Sequence, residues 1–217
     1  MKKQAQPHPH QGYLISLEGG EGTGKTTQVV LLIKHLQHAG KKVVAVREPG
    51  GTVISEQIRD VVLSAKNTGM KDTTEVLLFQ AARAQIYREV VIPALQDGKV
   101  VVMDRSRDSS VVYQGMVRGF GRELIDQLNS ISTKHTIPNL TILLDAPVET
   151  GLKRRNGTPK VDRLDMQNGG FHQKVRDAYL ELANENEGGL WEIIDADQPV
   201  EAVEEAVWQT VKEKLGL

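Results

Sequence analysis

The chain has 217 residues, no cysteine, a formal net charge of −1 and a composition that is 39% hydrophobic, 25% charged and 4% aromatic. That balance suits one soluble globular domain. A near-neutral charge and few aromatic rings argue against a nucleic-acid-binding surface. The absence of cysteine excludes disulfides, thiolate nucleophiles and sulfur-ligated zinc, and fits a cytoplasmic protein. No apolar run approaches the length needed to span a bilayer, so no membrane partner is expected.

Residues 1–12 are polar, with Pro7, Pro9 and two histidines flanking Pro9, and read as a disordered leader ahead of a single domain over 13–217. Order begins at Tyr13-Leu14-Ile15-Ser16-Leu17, a short apolar strand ending in a glycine loop. Helical spacing follows through Val29, Val30, Ile33 and Leu36, and Gly40 supplies the stop. A second strand, Val43 to Val46, ends at Arg47-Glu48. A helix through Ile54, Ile58, Val61 and Val62 comes next.

Asp72 and Glu75 are spaced as a capping box for a long helix carrying Val76, Phe79, Ala82, Ile86 and Val90, which Pro93 should kink or end. The third strand, Val100 to Met103, stops at Asp104. Helices are expected over 109–115 and through Leu124, Ile125, Leu128 and Ile131. The fourth strand is Thr141 to Leu144, and a helix starts near Pro147. The charged, Gly- and Pro-containing segment at about 153–165 reads as a mobile lid. A helix through Phe171, Val175, Ala178 and Leu182 leads to the fifth strand at 191–195, and Pro199 opens a closing helix.

Strands that are apolar throughout and alternate with helices predict an α/β fold: a five-stranded parallel sheet with helices on both faces. Ligands of such sheets gather at the carboxyl ends of the strands. Here those ends are Glu18-Gly19, Arg47-Glu48, Asp104-Arg105 and Asp145, all polar where the strands are not.

The loop Gly19-Gly20-Glu21-Gly22-Thr23-Gly24-Lys25-Thr26 matches the P-loop pattern Gly-x4-Gly-Lys-Thr completely. Its glycines let successive backbone N–H groups converge on phosphate oxygens at the start of a helix. Lys25 is placed to bridge the β- and γ-phosphates of ATP, and Thr26 to complete the shell of a Mg²⁺ ion. Asp104 ends an apolar strand as a metal-orienting acid does. Asp145 ends a similar strand and competes for that role, but the adjacent Arg105 and the downstream Tyr113-Gln114-Gly115 favour Asp104, leaving Asp145 as a cap for the helix that follows. An acceptor that is itself a phosphate needs arginines outside the P-loop to be held in line, and Arg47 and Arg105 sit at strand ends. GTPase signatures are missing: the chain has no Asp-x-x-Gly, and Thr133-Lys134-His135-Thr136 lacks the final Asp of a guanine-reading motif.

Five motifs in order narrow the reading further. They are the P-loop with Glu18 before it and Thr27 after, Arg47-Glu48-Pro49-Gly50-Gly51-Thr52, Leu78-Phe79-Gln80-Ala81-Ala82-Arg83, Asp104-Arg105, and Ser109-Ser110-Val111-Val112-Tyr113-Gln114-Gly115. Together they closely resemble thymidylate kinase of the bacterial type, among the P-loop nucleoside monophosphate kinases. The resemblance runs from about Tyr13 to the C-terminal helix.

It implies ATP-dependent conversion of dTMP to dTDP, with Phe79 stacking on thymine and with Arg83 and Gln114 hydrogen-bonding the base edge. Ser110 would lie beside the base, and Glu21 would accept from the sugar 3′-OH. Arg59 and Arg105, with Arg47 behind them, would clamp the 5′-phosphate. The P-loop carries no arginine, so the resemblance assigns the catalytic cation to the lid, to Arg155 before Arg154 or Lys160. It also implies a homodimer packed through helices, although the apolar faces near Val61 and Phe79 serve equally well as core. The stretch 195–199 resembles the segment packed near adenine.

Two departures stand out. The family's Gly-Arg-Gly element reads Val117-Arg118-Gly119 here, and Ser106 follows Arg105 where an aromatic or His is more usual. Asp104-Arg105-Ser106 resembles deoxynucleoside kinases instead, for which thymidine would be the better acceptor. A partner-activated ATPase that phosphorylates nothing is the alternative from outside the kinases.

Overall fold

The computed structural model describes residues 9–156, 162–164, 166–185 and 189–217. Five strands, β1 (Tyr13–Glu18), β2 (Val43–Arg47), β3 (Val100–Asp104), β4 (Leu140–Asp145) and β5 (Trp191–Asp195), form one sheet in the order β2-β3-β1-β4-β5. Every pairing is parallel. The central position of β1, between β3 and β4, puts the loop after it at the point where the strand order reverses. That is where a parallel α/β sheet leaves a crevice.

The near-continuous apolar character of the strands has a direct cause, because both faces are covered. Ile15, Leu17, Val100 and Val102 point to one side, against Val29, Leu32 and Leu36 of α1 (Lys25–His38) and Val203, Val207 and Val211 of the final helix. Leu14, Val101 and Met103 point to the other, against Ile86, Tyr87, Val91 and Leu95. Alternation along a strand sends successive side chains to opposite faces, so each strand contributes to two cores.

The remaining helices are α2 (Val53–Val62), α3 (Asp72–Ile86), α4 (Ile92–Gln96), α5 (Arg107–Ser110), α6 (Arg122–Ser132), α7 (Val148–Asn156), α8 (Gly169–Asn184) and α9 (Val200–Leu215). Every predicted element is present, with four local differences. The first concerns the start of α3. Lys71 precedes that helix and makes no side-chain cap. Glu75 is 1% exposed and binds side chains from elsewhere rather than closing a capping box.

The second difference is at Pro93. The helix neither stops nor bends into a loop there; residues Tyr87–Val91 widen into a π-helical turn before α4 begins. A proline removes one helical N–H and crowds the carbonyl four residues back, and the wider turn takes up both effects. A second π-helical stretch, Val111–Val117, continues α5 through Tyr113 and Gln114.

The other two differences involve surfaces. Gly12, grouped by composition with the leader, is buried, and its N–H donates to the Leu95 carbonyl at 2.8 Å. Residues 1–8 lie outside the described part. The periodic apolar residues of α2 are not all core either: Ile54 is 50% and Val61 47% exposed. The buried anchors of that helix are Ser55 and Val62, with the Ser55 hydroxyl donating to the Ala82 carbonyl of α3.

One approach of backbone to backbone positions the site. Gly22 adopts φ 70°, and a Cβ there would run into the carbonyl of Gly151 in α7. A Cβ on Gly151 would in turn strike the Glu21 carbonyl. The P-loop is therefore seated directly on the helix that leads into the expected lid. Helix propensity alone makes Gly151→Ala stabilising by about 1 kcal/mol. The steric contact is with backbone that has no rotamer to change, so the expected result is a net loss of about 1–3 kcal/mol in urea unfolding, with weaker ATP binding. A more stable Gly151→Ala protein would show that the two segments are not in contact.

Candidate active site

The strand ends open into one cavity of about 720 Å³. It is lined by residues 21–26 of the P-loop, by Arg47, Arg59, Phe79, Arg83, Asp104, Arg105, Ser110 and Gln114, and by Arg154 and Arg155 of α7. The sequence-predicted residues thus converge, apart from three. Gly19 and Gly20 lie beneath the lining and contribute their carbonyls, and Lys160 lies outside the described residues, as do residues 157–161 and 165 of the expected lid.

Within the P-loop, Gly24 caps the start of α1 with φ 91°, a conformation that side chains resist and glycine accepts. Lys25 Nζ donates to the Gly19 and Gly20 carbonyls at 3.1 and 2.6 Å, so its ammonium is held over the loop. Burial, with Arg105 beside it, pushes that ammonium down to about 8 against the pull of Glu21, Asp104 and Glu18. The Thr26 hydroxyl donates to Asp104 Oδ2 at 2.5 Å. The competing acid, Asp145, is committed elsewhere: Arg176 grips it through two bonds of 2.8 and 2.9 Å. It is an ion-pair partner of α8 rather than a helix cap.

Arg105 binds the two halves of the cavity together. Its backbone takes φ 67°, a left-handed conformation that costs a non-glycine residue about 1–2 kcal/mol. From there its guanidinium donates to Glu21 Oε1 at 2.6 Å, to the Gly19 carbonyl at 3.0 Å and to the Tyr179 hydroxyl at 3.2 Å. Tyr113 donates to the same Glu21 oxygen at 3.1 Å. Burial alone would raise the Glu21 carboxyl, but Arg105, Lys25 and Tyr113 outweigh it and hold the group down at about 2.

Arg83 is 2% exposed, and each of its three guanidinium nitrogens has a protein partner. Nε and Nη2 reach Glu48 Oε2 at 2.7 Å. Nη1 reaches Ser110 Oγ at 2.9 Å and Asn129 Oδ1 at 2.8 Å, and Nη2 also reaches the Ser106 carbonyl at 3.1 Å. Burial raises the Glu48 carboxyl in spite of this pairing. The guanidinium expected at the base edge is therefore also a pillar between β2, α5 and α6. Phe79 is half-buried, and Gln114 is 2% exposed. Arg59 Nη1 donates to the Pro49 carbonyl at 2.6 Å, and Arg47 leans on Glu56 at 2.8 Å. Arg154 holds the Ala196 carbonyl at 2.9 Å beside Gln198 and Pro199, which line the same cavity.

The family model for thymidylate kinase matches residues 17–207. The chain belongs to the thymidylate kinase family. It is 46% identical over 211 residues to the thymidylate kinase of Geotalea uraniireducens, covering 94% of this chain and 99% of that protein. It is equally similar, 46% over 195 residues, to that of Latilactobacillus sakei, covering 88% and 91% of the two chains. The crystal structure of thymidylate kinase from Ehrlichia chaffeensis superposes with a TM-score of 0.75 at 29% identity, covering 93% of this chain and 98% of that one. The family, the α/β architecture and the phosphotransferase class expected from the motifs are all met.

Within this family member, Ser106 lies at the cavity wall with its polar groups committed to protein partners. It is fully buried, its hydroxyl pairs with the Tyr87 hydroxyl at 2.8 Å, and its N–H donates to Glu18 at 2.7 Å. Sequence reasoning missed Glu18 as more than a strand end. That carboxylate is fully buried under the P-loop and also accepts from Ser109 Oγ at 2.6 Å and Tyr179 Oη at 2.9 Å. Its signal was a charged letter closing an apolar strand. Tyr179 gave none, since its spacing in α8 reads as core.

The Glu21 shift has a sign that can be tested. A carboxyl held at about 2, below the ordinary 4.5, stabilises the fold at pH values above about 4.5, and that contribution is lost as pH falls toward 2. At pH 7 it amounts to about 3 kcal/mol. Glu21→Gln is expected to be less stable than the parent by roughly that amount in urea unfolding at pH 7, with the gap narrowing below pH 4.5. A gap that does not change with pH would exclude the ion pair as its source.

Proposed function

We propose that this cavity transfers the terminal phosphoryl group of ATP to the 5′-phosphate of dTMP, giving ADP and dTDP. The observation that carries the reading is the meeting, in one cavity, of a phosphate loop with Lys25, Thr26 and Asp104 and a second set of cations, Arg47, Arg59 and Arg105. One set suits a triphosphate donor and the other an anionic acceptor. An enzyme that only hydrolysed ATP would have no use for the second.

On this reading, the P-loop N–H groups and Lys25 hold the donor phosphates. Arg59 and Arg105 hold the acceptor phosphate in line, and Glu21, already between Arg105 and Tyr113, keeps one carboxylate oxygen for the sugar 3′-OH. Phe79 supplies a half-buried ring for the base, with Gln114 and Ser110 at its edge. Arg155, on the helix seated against the P-loop, supplies the cation that stabilises charge on the transferred group. Closure of the cavity around these groups excludes water, so the acceptor phosphate competes without hydrolysis.

The residues present suit Mg²⁺. No group of three or more acidic or imidazole side chains suitable for a metal occurs among the described residues. The hydroxyl–carboxylate pair Thr26–Asp104 offers the few oxygen ligands that Mg²⁺ takes from a protein when phosphates and water provide the rest. The ion would neutralise donor phosphate charge there.

The exposed apolar residues Ile54 and Val61 on α2, together with Leu77 on the adjoining α3, support a homodimer packed through these helices.

Two experiments test these assignments. In an ADP-release assay over a panel of nucleoside monophosphates and thymidine, dTMP is expected to be the best acceptor. Arg155→Ala should lower kcat about 10²–10³-fold with little change in KM for dTMP. Preference for a purine monophosphate or for thymidine would sink the reading. In sedimentation at micromolar concentration the parent is expected to behave as a dimer and Val61→Asp as a monomer. A monomeric parent would remove the dimer.

A further inference from the structure

Glu75 is a buried carboxylate with no part in phosphate chemistry, and its two oxygens have different tasks. Oε2 accepts from Arg163 Nη2 at 2.6 Å and Arg118 Nη2 at 3.3 Å. Oε1 accepts from Gln114 Nε2 at 2.8 Å. Glu75 is 1% exposed and Gln114 2%, so water does not compete for either contact. Gln114 lines the cavity next to Phe79 and Ser110.

An amide side chain has two ends of nearly equal shape and opposite hydrogen-bonding character. A carboxylate held by two guanidinium groups offers only lone pairs, so the end of Gln114 that faces it must be the NH₂. The other end, the carbonyl oxygen, is left for the cavity. We propose that Glu75 is a positioning residue that sets the orientation of the Gln114 amide and thereby makes the cavity accept a base with a ring N–H at position 3. Thymine and uracil carry a donor there. Cytosine carries a lone pair, which would meet another lone pair. The proposal rests on the reading of this cavity as the pocket for the acceptor base, and it moves the origin of base choice one residue back from the pocket wall.

The arrangement makes a signed prediction. In Glu75→Gln the end facing Arg163 and Arg118 must be the carbonyl oxygen, because those groups only donate. The new NH₂ then faces Gln114, whose amide turns over and shows its own NH₂ to the base. The variant should therefore lose kcat/KM for dTMP, mainly through KM, and gain it for dCMP. The dTMP:dCMP ratio is expected to fall at least about tenfold, the scale set by one unsatisfied buried polar group. Glu75→Asp keeps an acceptor and should keep the parent's preference, with a raised KM for dTMP. A merely structural role would lower both substrates in proportion.

The experiment is steady-state kinetics of the parent, Glu75→Gln and Glu75→Asp with both nucleotides, each variant first checked for folding by circular dichroism. A Glu75→Gln enzyme with the parent's ratio, or with both activities reduced alike, overturns the proposal. A parent without preference for dTMP overturns the pocket reading and the proposal together. A second measurement on the parent needs no folded variant at Glu75. The Gln114 side-chain NH₂ protons, assigned by their loss in Gln114→Ala, should include one shifted downfield by the carboxylate and still there when dTMP binds. Its loss on binding would mean that the amide turns, and would overturn the role of Glu75.

Discussion

The contact between Arg105 and Glu21 joins two parts of the chain that the fold would otherwise leave independent. Glu21 belongs to a loop after β1 and Arg105 to the turn after the neighbouring β3, and neither loop has an apolar core of its own. Both groups are largely withdrawn from water, where an unpaired charge costs several kcal/mol and a well-bonded pair is tolerated. The unusual φ of Arg105 is retained because its guanidinium then reaches Gly19, Glu21 and Tyr179 together. Glu18 underpins the same junction from below through Ser106, Ser109 and Tyr179. Removing any one member would leave others buried without partners, so the cluster has essentially one low-energy arrangement.

Arg83 and Glu75 repeat this logic farther from the P-loop. Each is buried, each uses its hydrogen-bonding capacity on protein groups, and each reaches across several elements. Arg83 joins β2 to α5 and α6, while Glu75 joins α3 to the π-helical stretch that carries Gln114 and to the residues beyond α7. The apolar sheet faces supply most of the stability by area, but apolar contact is tolerant of small shifts. Buried ionic networks are not, and they fix the positions of the groups that line the cavity.

The sheet and its order of elements were legible because a parallel sheet covered on both faces imposes apolar strands whatever else the chain does. The P-loop was legible for a similar reason, as a backbone requirement written in glycine. Phe79, Gln114 and Arg59 were reached only through resemblance, since each has an ordinary structural use in a helix. What stayed hidden depends on long-range pairing. Glu75 sits three residues after Asp72 and imitates a cap, yet its partners are 39, 43 and 88 residues away. Asp145 and Asp104 end similar strands; the neighbours of Asp104 already favoured it, and the partners that separate the two, Thr26 for Asp104 and Arg176 on α8 for Asp145, are long-range. Pro93 marked a break in the helix, but a proline can be met by a stop, a kink or a widened turn, and the sequence does not say that Tyr87–Val91 takes the π-helical one.

The mutual seating of Gly22 and Gly151 fixes α7 to the P-loop at a single point of backbone contact. Arg155 lies four residues beyond that contact, roughly 6 Å along a helix, so its distance from the loop is set by the same joint. Neither glycine can carry a side chain that would cushion the joint. The joint between the loop and α7 is therefore backbone against backbone, with no side chain between them to take up a displacement of either.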